Sequence, residues 1–313
     1  MFLLYPFSLF YRVAVSLRNS LYDWSVLEKR SLPVPVVSVG NLSSGGTGKT
    51  SLVRFIAQEL SPVRRVVVLL RGYKRKSKGV VVVSRWGETE VNVREAGDEA
   101  YMLAKLLPNA SVVVAEDRFE GGMRAVRELS PELILLDDGF QHRRLHRDID
   151  IVLLRKRDLT DRLLPAGLLR EPLNSLERSD CIVLSYQETE PFEFSYVGKP
   201  VFKMFREFCC LRNSNMEEVS LEEVRDKEIT AFAGLGSNEQ FFNSLKSLGF
   251  KVERMLSLPD HYDYRDFKID NSKLYITTLK DMVKLPPMDN LFALDFRVKV
   301  DGLIEFISNS LQE

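Results

Sequence analysis

Ser43-Ser44-Gly45-Gly46-Thr47-Gly48-Lys49-Thr50 lies between two apolar stretches, Val34-Pro-Val-Val-Ser-Val-Gly40 and Leu52-Val-Arg-Phe-Ile-Ala-Gln-Glu-Leu60. Strand, glycine-rich turn and helix in that order is the setting of a P-loop. Gly45, Gly46 and Gly48 allow the backbone to turn its N–H groups inward around a phosphate chain. In that reading Lys49 reaches the β- and γ-phosphates, Thr50 ligates Mg²⁺, and the helix N-terminus adds a favourable dipole. The cradle is Ser43 through Thr50. Ser43 stands where the pattern has its first glycine, so the match is incomplete at that position.

Outward from this stretch the same alternation continues. Arg65–Leu70, Val80–Ser84, Ser111–Ala115, Leu133–Leu136, Ile149–Leu154 and Cys181–Leu184 are runs of Val, Ile and Leu. Helical patterns lie between several of them, at Gly97–Leu107 and Gly122–Leu129. Near-continuous apolar strands alternating with helices imply an α/β fold with a mostly parallel sheet covered on both faces. The phosphate site is expected at the carboxyl ends of the strands. Residues 188–210 lose the helical rhythm and read as a strand-rich connector. A second, smaller α/β unit follows over 211–313, with a last helix at Gly302–Leu311. Residues 21–187 form the P-loop domain in this division, and 1–20 an N-terminal helix.

Composition limits the function. Lysine and arginine total 44, as do aspartate and glutamate. Nucleic-acid binders carry a basic excess that is missing here. Three cysteines, Cys181, Cys209 and Cys210, are too few and badly spaced for a disulfide framework or a zinc site, and suit a reducing compartment. The first 22 residues hold no acid and are rich in Phe, Tyr and Leu. Without a basic start or a small-residue cleavage site they do not read as a signal peptide, and Pro6, Arg12 and Arg18 interrupt them. Two readings stay open: an interfacial helix with aromatics among acyl chains and arginines at headgroups, or a helix packed on its own domain.

Three places can carry chemistry. Asp137-Asp138 ends an apolar strand, where a carboxylate holds Mg²⁺ directly or through water. Asp98 opens a helix after Gly97, so it is either a cap or a general base for an acceptor hydroxyl. His261, in Leu258-Pro-Asp-His-Tyr262, can orient such a base or bind substrate. The two are expected on different domains, meeting as a cleft closes around substrate. Arg71–Lys78 carries five basic residues in eight, as a solvated loop or a contact for phosphate.

Together these stretches resemble a known family. Gly40-Asn-Leu, Gly45–Thr50, Arg71-Gly-Tyr73, Gly97-Asp-Glu99, Asp137-Asp-Gly-Phe-Gln-His142 and Leu164-Pro-Ala-Gly-Leu-Leu-Arg-Glu-Pro172 are similar to the tetraacyldisaccharide 4′-kinases of Gram-negative bacteria. Phe232–Ser237, Pro259-Asp-His261 and Thr277–Leu285 extend the resemblance over nearly the whole chain. Leu279 departs from the usual Glu before Lys-Asp, and Ser51 from a common proline. The resemblance implies ATP- and Mg²⁺-dependent phosphorylation of a lipid-linked disaccharide at its 4′-hydroxyl, a step of lipid A biosynthesis at the cytoplasmic face of the inner membrane. It implies no nucleic-acid or obligate protein partner. Catalytic roles then fall to Lys49, Asp98, His261 and Asp138, with Thr50, Asp137, Asp138 and Glu171 as candidate metal ligands and Arg170 as a phosphate contact. A nucleotide-switched membrane ATPase of the partitioning type is the alternative. That class needs a lysine before the paired glycines, where this chain has Ser44.

Overall fold

β1 (Val36–Asn41), the strand that enters the glycine turn, is buried at every position. Both faces of its sheet are covered by helices, which is why the sequence here is apolar without alternation. The computed structural model describes residues 4–312. After α1 (Tyr5–Asp23) and β1, the chain continues through α2 (Lys49–Leu60), β2 (Val66–Leu70), β3 (Val81–Arg85), β4 (Glu88–Thr89), α3 (Val93–Ala96) and α4 (Asp98–Leu106). It goes on through β5 (Ser111–Val114), α5 (Arg118–Leu129), β6 (Leu133–Asp137), β7 (Ile149–Leu154), β8 (Cys181–Leu184) and β9 (Val201–Lys203). Among the described residues these strands form one nine-stranded sheet, in the order β4-β3-β5-β2-β6-β1-β7-β8-β9.

From β5 to β9 every pairing is parallel. β3 and β4 are the exception, an antiparallel edge. Only a short helix-free loop separates β2 from β3. A parallel return requires a longer crossover.

The second half holds β10 (Phe205–Asn213), β11 (Glu218–Val219), α6 (Glu222–Arg225), β12 (Glu228–Ala233), α7 (Glu239–Ser247), β13 (Lys251–Ser257), β14 (Leu274–Thr278), α8 (Leu279–Met282), β15 (Leu291–Lys299) and α9 (Leu303–Ser310). Its six strands run in the order β11-β10-β15-β14-β12-β13. The stretch 188–210 is divided between the two units: β9 completes the first sheet, whereas β10 pairs with β15 of the second. Cys209 sits at a bulge in that pairing. There the Cys209 and Cys210 thiols gather beside Glu218, whose carboxylate already accepts from Arg212 and Arg297.

The last helix also departs from the expected division. Val298, Val300, Leu303 and Ile307 share one apolar cluster with Val37, Leu52 and Ile56, so α9 packs on the first sheet. Charge reinforces that joint. Arg54 of α2 donates to both oxygens of Asp295 on β15 at 2.5 and 2.8 Å, and Arg212 of β10 donates to one of them at 2.6 Å. Burial pushes the Asp295 carboxyl up, but the two guanidiniums outweigh it and hold it below the usual carboxylate range.

α1 lies against the first sheet by a polar seam. The Ser8 hydroxyl donates to Leu163 O and accepts from Ala166 N, at 2.9 and 3.0 Å. Tyr11 donates to Arg170 O at 3.1 Å, and Asn19 to Glu171 at 2.8 Å. The opposite face is apolar and bare: Phe7 is 62% exposed, Phe10 75% and Val13 60%. Arg18, expected at headgroups, donates to Gln141 O at 2.6 Å instead. Among the described residues no helix is long and apolar enough to cross a membrane.

Candidate active site

The glycine turn sits at the carboxyl end of β1 and opens α2. Gly48 is the N-cap of α2 with φ +86°, a backbone that L side chains resist. A Cβ there would also lie 2.9 Å from Met204 Cε. Gly40, one strand position before Asn41, admits Phe140 so closely that a Cβ would fall 2.4 Å from the Phe140 Cβ. Donors converge on the turn's carbonyls. Arg155 and the Tyr186 hydroxyl reach Gly46 O at 3.2 and 3.4 Å, and Arg157 reaches Ser44 O at 3.4 Å. With those oxygens engaged, the turn's N–H groups remain for an anion. The position of the missing glycine also has a local reason. Ser43 is fully buried and bridges to Leu169, and Ser44 N donates to Leu168 O at 2.8 Å. The entry to the turn is thereby pinned by the segment that carries Arg170.

Lys49 Nζ donates to Asn41 Oδ1 at 3.0 Å and lies 3.4 Å from Asp138 Oδ1. Arg170 pairs with the same Asp138 at 3.1 Å. Burial raises the Asp138 carboxyl, but Lys49 and Arg170 outweigh it and leave it below its ordinary value. Asp138 adopts a left-handed backbone, φ 54°, uncommon for a non-glycine residue. Its neighbour behaves oppositely. Asp137 is buried, and burial, with the nearby Glu99 charge, pushes its carboxyl up to about 7. Its Oδ2 accepts from Thr50 Oγ1 at 3.1 Å, whereas its Oδ1 is buried with no partner. A buried carboxylate with an open oxygen beside a threonine hydroxyl is a donor set that fits a hard divalent cation.

Glu171 takes a different place. It is buried and accepts from Arg178 and Asn19, both at 2.8 Å, under α1. Its Oε1 is buried and unpartnered. Of the basic run, Arg75 turns inward to Glu116 at 2.7 Å, its side chain 2% exposed.

Asp98 is the first residue of α4, and its side chain caps nothing: Gly97 holds the N-cap position. Its Oδ2 instead accepts from His261 Nδ1 at 3.1 Å, across 163 positions of sequence. The contact that was expected to form as a cleft closed is already made. Lys284 Nζ stands 3.5 Å from the same oxygen and 3.0 Å from Asp281. With Nδ1 donating, Nε2 of a neutral His261 is the acceptor, and Lys280 Nζ lies 3.4 Å from it. The tyrosine of Arg71-Gly-Tyr73 meets the imidazole at 5.6 Å between ring centroids. His261 has φ 60°, one of eight left-handed non-glycine residues among those described, Asp138 another. Such strain persists only where surrounding structure enforces it, and it clusters at functional sites. Sequence reasoning missed Asn41, Lys280, Lys284 and the arginines behind the turn. Asn41 had a signal, its place two residues before Ser43 at the strand end. The lysines lie in Thr277–Leu285, where nothing local marks them.

A glycine turn between β1 and α2, with a paired-acid strand end on the adjacent β6, defines a P-loop protein. Which one follows from comparison with known proteins. The sequence profile of the tetraacyldisaccharide-1-P 4′-kinases matches residues 1–312, and the chain belongs to this family. A tetraacyldisaccharide 4′-kinase of Aquifex aeolicus is 57% identical over 298 residues, covering 95% of this chain and 94% of the relative. One from Syntrophus aciditrophicus is 36% identical, covering 97% and 91%. A crystal structure of LpxK from Aquifex aeolicus in complex with ATP superimposes with a TM-score of 0.94 at 55% identity, covering 98% of both chains. These relatives are kinases, so the partitioning-ATPase alternative is set aside. Leu279, where the family pattern places an acid, is buried in the apolar cluster around Phe232.

Proposed function

We propose that this protein transfers the γ-phosphate of ATP to the 4′-hydroxyl of a tetraacylated glucosamine disaccharide 1-phosphate. The observation that carries the mechanism is the Asp98–His261 contact at 3.1 Å. ATP lies with its phosphates in the Ser43–Thr50 turn, as the ATP complex of the Aquifex LpxK supports. Lys49, held by Asn41 and Asp138, offers its ammonium to the phosphoryl oxygens. Thr50 and Asp137 would hold Mg²⁺, with Asp138 close by; the ion supplies positive charge that stabilises the transferring phosphoryl group. Arg170, paired with Asp138 beside the turn, is the candidate phosphate contact.

Asp98 accepts the proton of the 4′-hydroxyl. His261 donates from Nδ1 to Asp98, fixes the carboxylate's direction, and shares the charge change. Transfer is direct and in line, without a covalent enzyme intermediate. The two domains are the nine-stranded sheet from β1 to β9 with its P-loop, and the smaller unit that contributes His261.

α1 rests on a membrane, at the cytoplasmic face of the inner membrane. What supports this is the bare face of Phe7, Phe10 and Val13 on a helix whose other face is hydrogen-bonded to the protein. Such a seat sets the enzyme where a lipid disaccharide presents its sugar to the active site. The test is transfer of radiolabelled γ-phosphate from ATP to the tetraacylated disaccharide 1-phosphate in detergent. A labelled lipid product that disappears in Lys49→Ala is expected. Labelled inorganic phosphate without labelled lipid would mean ATP hydrolysis alone.

A further inference from the structure

A second basic site lies away from the phosphate cradle. Asp23, Lys29, Arg143, His146, Arg147 and Arg178 line a cavity of about 290 Å³. Four of them are permanent cations against one carboxylate. Its place in the fold separates it from the active site. His146 and Arg147 come just before β7, and Arg178 just before β8. The cavity therefore opens at the amino ends of the parallel strands, whereas the glycine turn stands at their carboxyl end. Along α1, Tyr11 touches the Arg170 segment and Asp23 touches the cavity. The twelve-position step of helix from one to the other spans about 18 Å.

Most of these cations have partners. Arg143 pairs with Asp23 at 2.5 Å, Arg147 with Asp150 at 2.6 Å, and Nη1 of Arg178 with Glu171 at 2.8 Å. Two features are left over. Nε and Nη2 of Arg178 are buried with no hydrogen-bond partner. Lys29 is exposed, its ammonium near enough to Asp23 to help lower that carboxyl but, among the described residues, in no hydrogen bond or ion pair. The guanidinium stacks over the Phe140 ring at 4.4 Å with 18% of the side chain exposed, and its fork matches phosphate geometry. Just after Asp23 in sequence, Trp24 is 70% exposed and Val26 66%. They continue the apolar face of α1 past its C-terminal end, and exposed tryptophan suits the headgroup level of a bilayer.

We infer that this cavity binds the phosphate of an anionic lipid headgroup, with Arg178 and Lys29 as its donors, and so anchors the far end of α1. The inference rests on the membrane reading of α1. It adds headgroup selectivity, which an apolar face alone does not provide.

The test is flotation of the full chain with vesicles of phosphatidylcholine alone and of phosphatidylcholine mixed with phosphatidylglycerol. Wild type should bind both, the anionic mixture more tightly. Lys29→Glu, on an exposed side chain, should weaken the anionic preference about five-fold or more, at roughly 1 kcal/mol per basic residue near an anionic surface. Arg178→Lys keeps the net charge and a partner for Glu171 but removes the two-pronged donor set. It should also lose most of the preference, whereas diffuse electrostatic attraction would leave it at the wild-type level. Phosphatidylcholine binding should be unchanged in both. Inorganic phosphate tests the other source of the same chemistry: protection of the cavity by phosphate, with no preference for anionic vesicles, would overturn the lipid assignment. Wild type bound to phosphatidylcholine without anionic preference, or Arg178→Lys like wild type, would overturn this inference alone. Binding to no vesicle would overturn the membrane reading with it.

Discussion

Asp295 and Asp98 each meet a base across the boundary between the two sheets, yet their surroundings differ in every respect that matters. Asp295 is fully buried, both its oxygens are taken by Arg54, and Arg212 adds a third bond. Asp98 and His261 keep 21% and 14% of their side chains exposed, and the histidine backbone is in the left-handed region. Lysines crowd the second pair from two sides, at 3.4 Å from the imidazole and 3.5 Å from the carboxylate. A saturated buried network has no free valence for chemistry and serves to fix one domain on the other. The half-open pair leaves Oδ1 of Asp98 to act, while both ring nitrogens of His261 are engaged, by Asp98 and by Lys280.

This contrast makes opposite demands on mutants. Asp98→Asn should lower kcat by about 10²- to 10⁴-fold, the usual worth of a positioned general base. Its melting temperature should stay near wild type, and calorimetry beside the transfer assay would show both. Asp295→Asn should do the reverse. Removing one partner of a buried ionic network costs about 3–5 kcal/mol, while kcat per folded molecule is unchanged. Urea unfolding measures the loss. If Asp295→Asn were as stable as wild type, the buried joint would be ornamental and the comparison would fail.

Acid sharpens the same point. The folded-state Asp295 carboxyl is held below the ordinary range. Its contribution is therefore complete above the unfolded aspartate pKa of about 4 and is lost as pH falls through the folded value. The stability gap between wild type and Asp295→Asn should be full at pH 7 and shrink below about pH 4. A gap independent of pH would assign the effect to packing. The smallest expected effect belongs to the seam under α1. Tyr11→Phe deletes the hydroxyl bonded to Arg170 O, a loss of about 1 kcal/mol of positioning. A few-fold drop in kcat with unchanged vesicle binding is expected; equal loss of both would make Tyr11 only a fastener of the helix.

Much of this molecule was legible before its structure. β7 and β8 fall at the residues their apolar runs mark, because a strand buried on both faces has a sequence with clear edges. The glycine turn is equally local: a positive φ at Gly48 and a helix opening at Lys49 are written in adjacent residues. What failed to show is what depends on distant packing. Nothing in Leu303–Ser310 says that α9 returns to the first sheet, since an amphipathic helix has a buried face but no address. The direction of β3 follows from the shortness of the loop before it, which composition does not advertise. Glu171 illustrates the limit for sites. As a residue type it suits a metal, yet Arg178 and Asn19 hold its carboxylate beneath α1. One partner lies 7 residues further on and the other 152 residues back in the chain. Asp98 and His261 were singled out by residue type and by resemblance, but the lysines that frame them were not.

In the proposed mechanism Asp98 and His261 work as one unit in moving a proton from the acceptor hydroxyl. A double-mutant cycle on labelled phosphate transfer tests it most directly. Residues that share one step give grossly non-additive losses. The double variant Asp98→Ala with His261→Ala should therefore be about as slow as the slower single variant, with ATP affinity unchanged in all three. Losses that multiply, or ATP binding that collapses in either single variant, would contradict it.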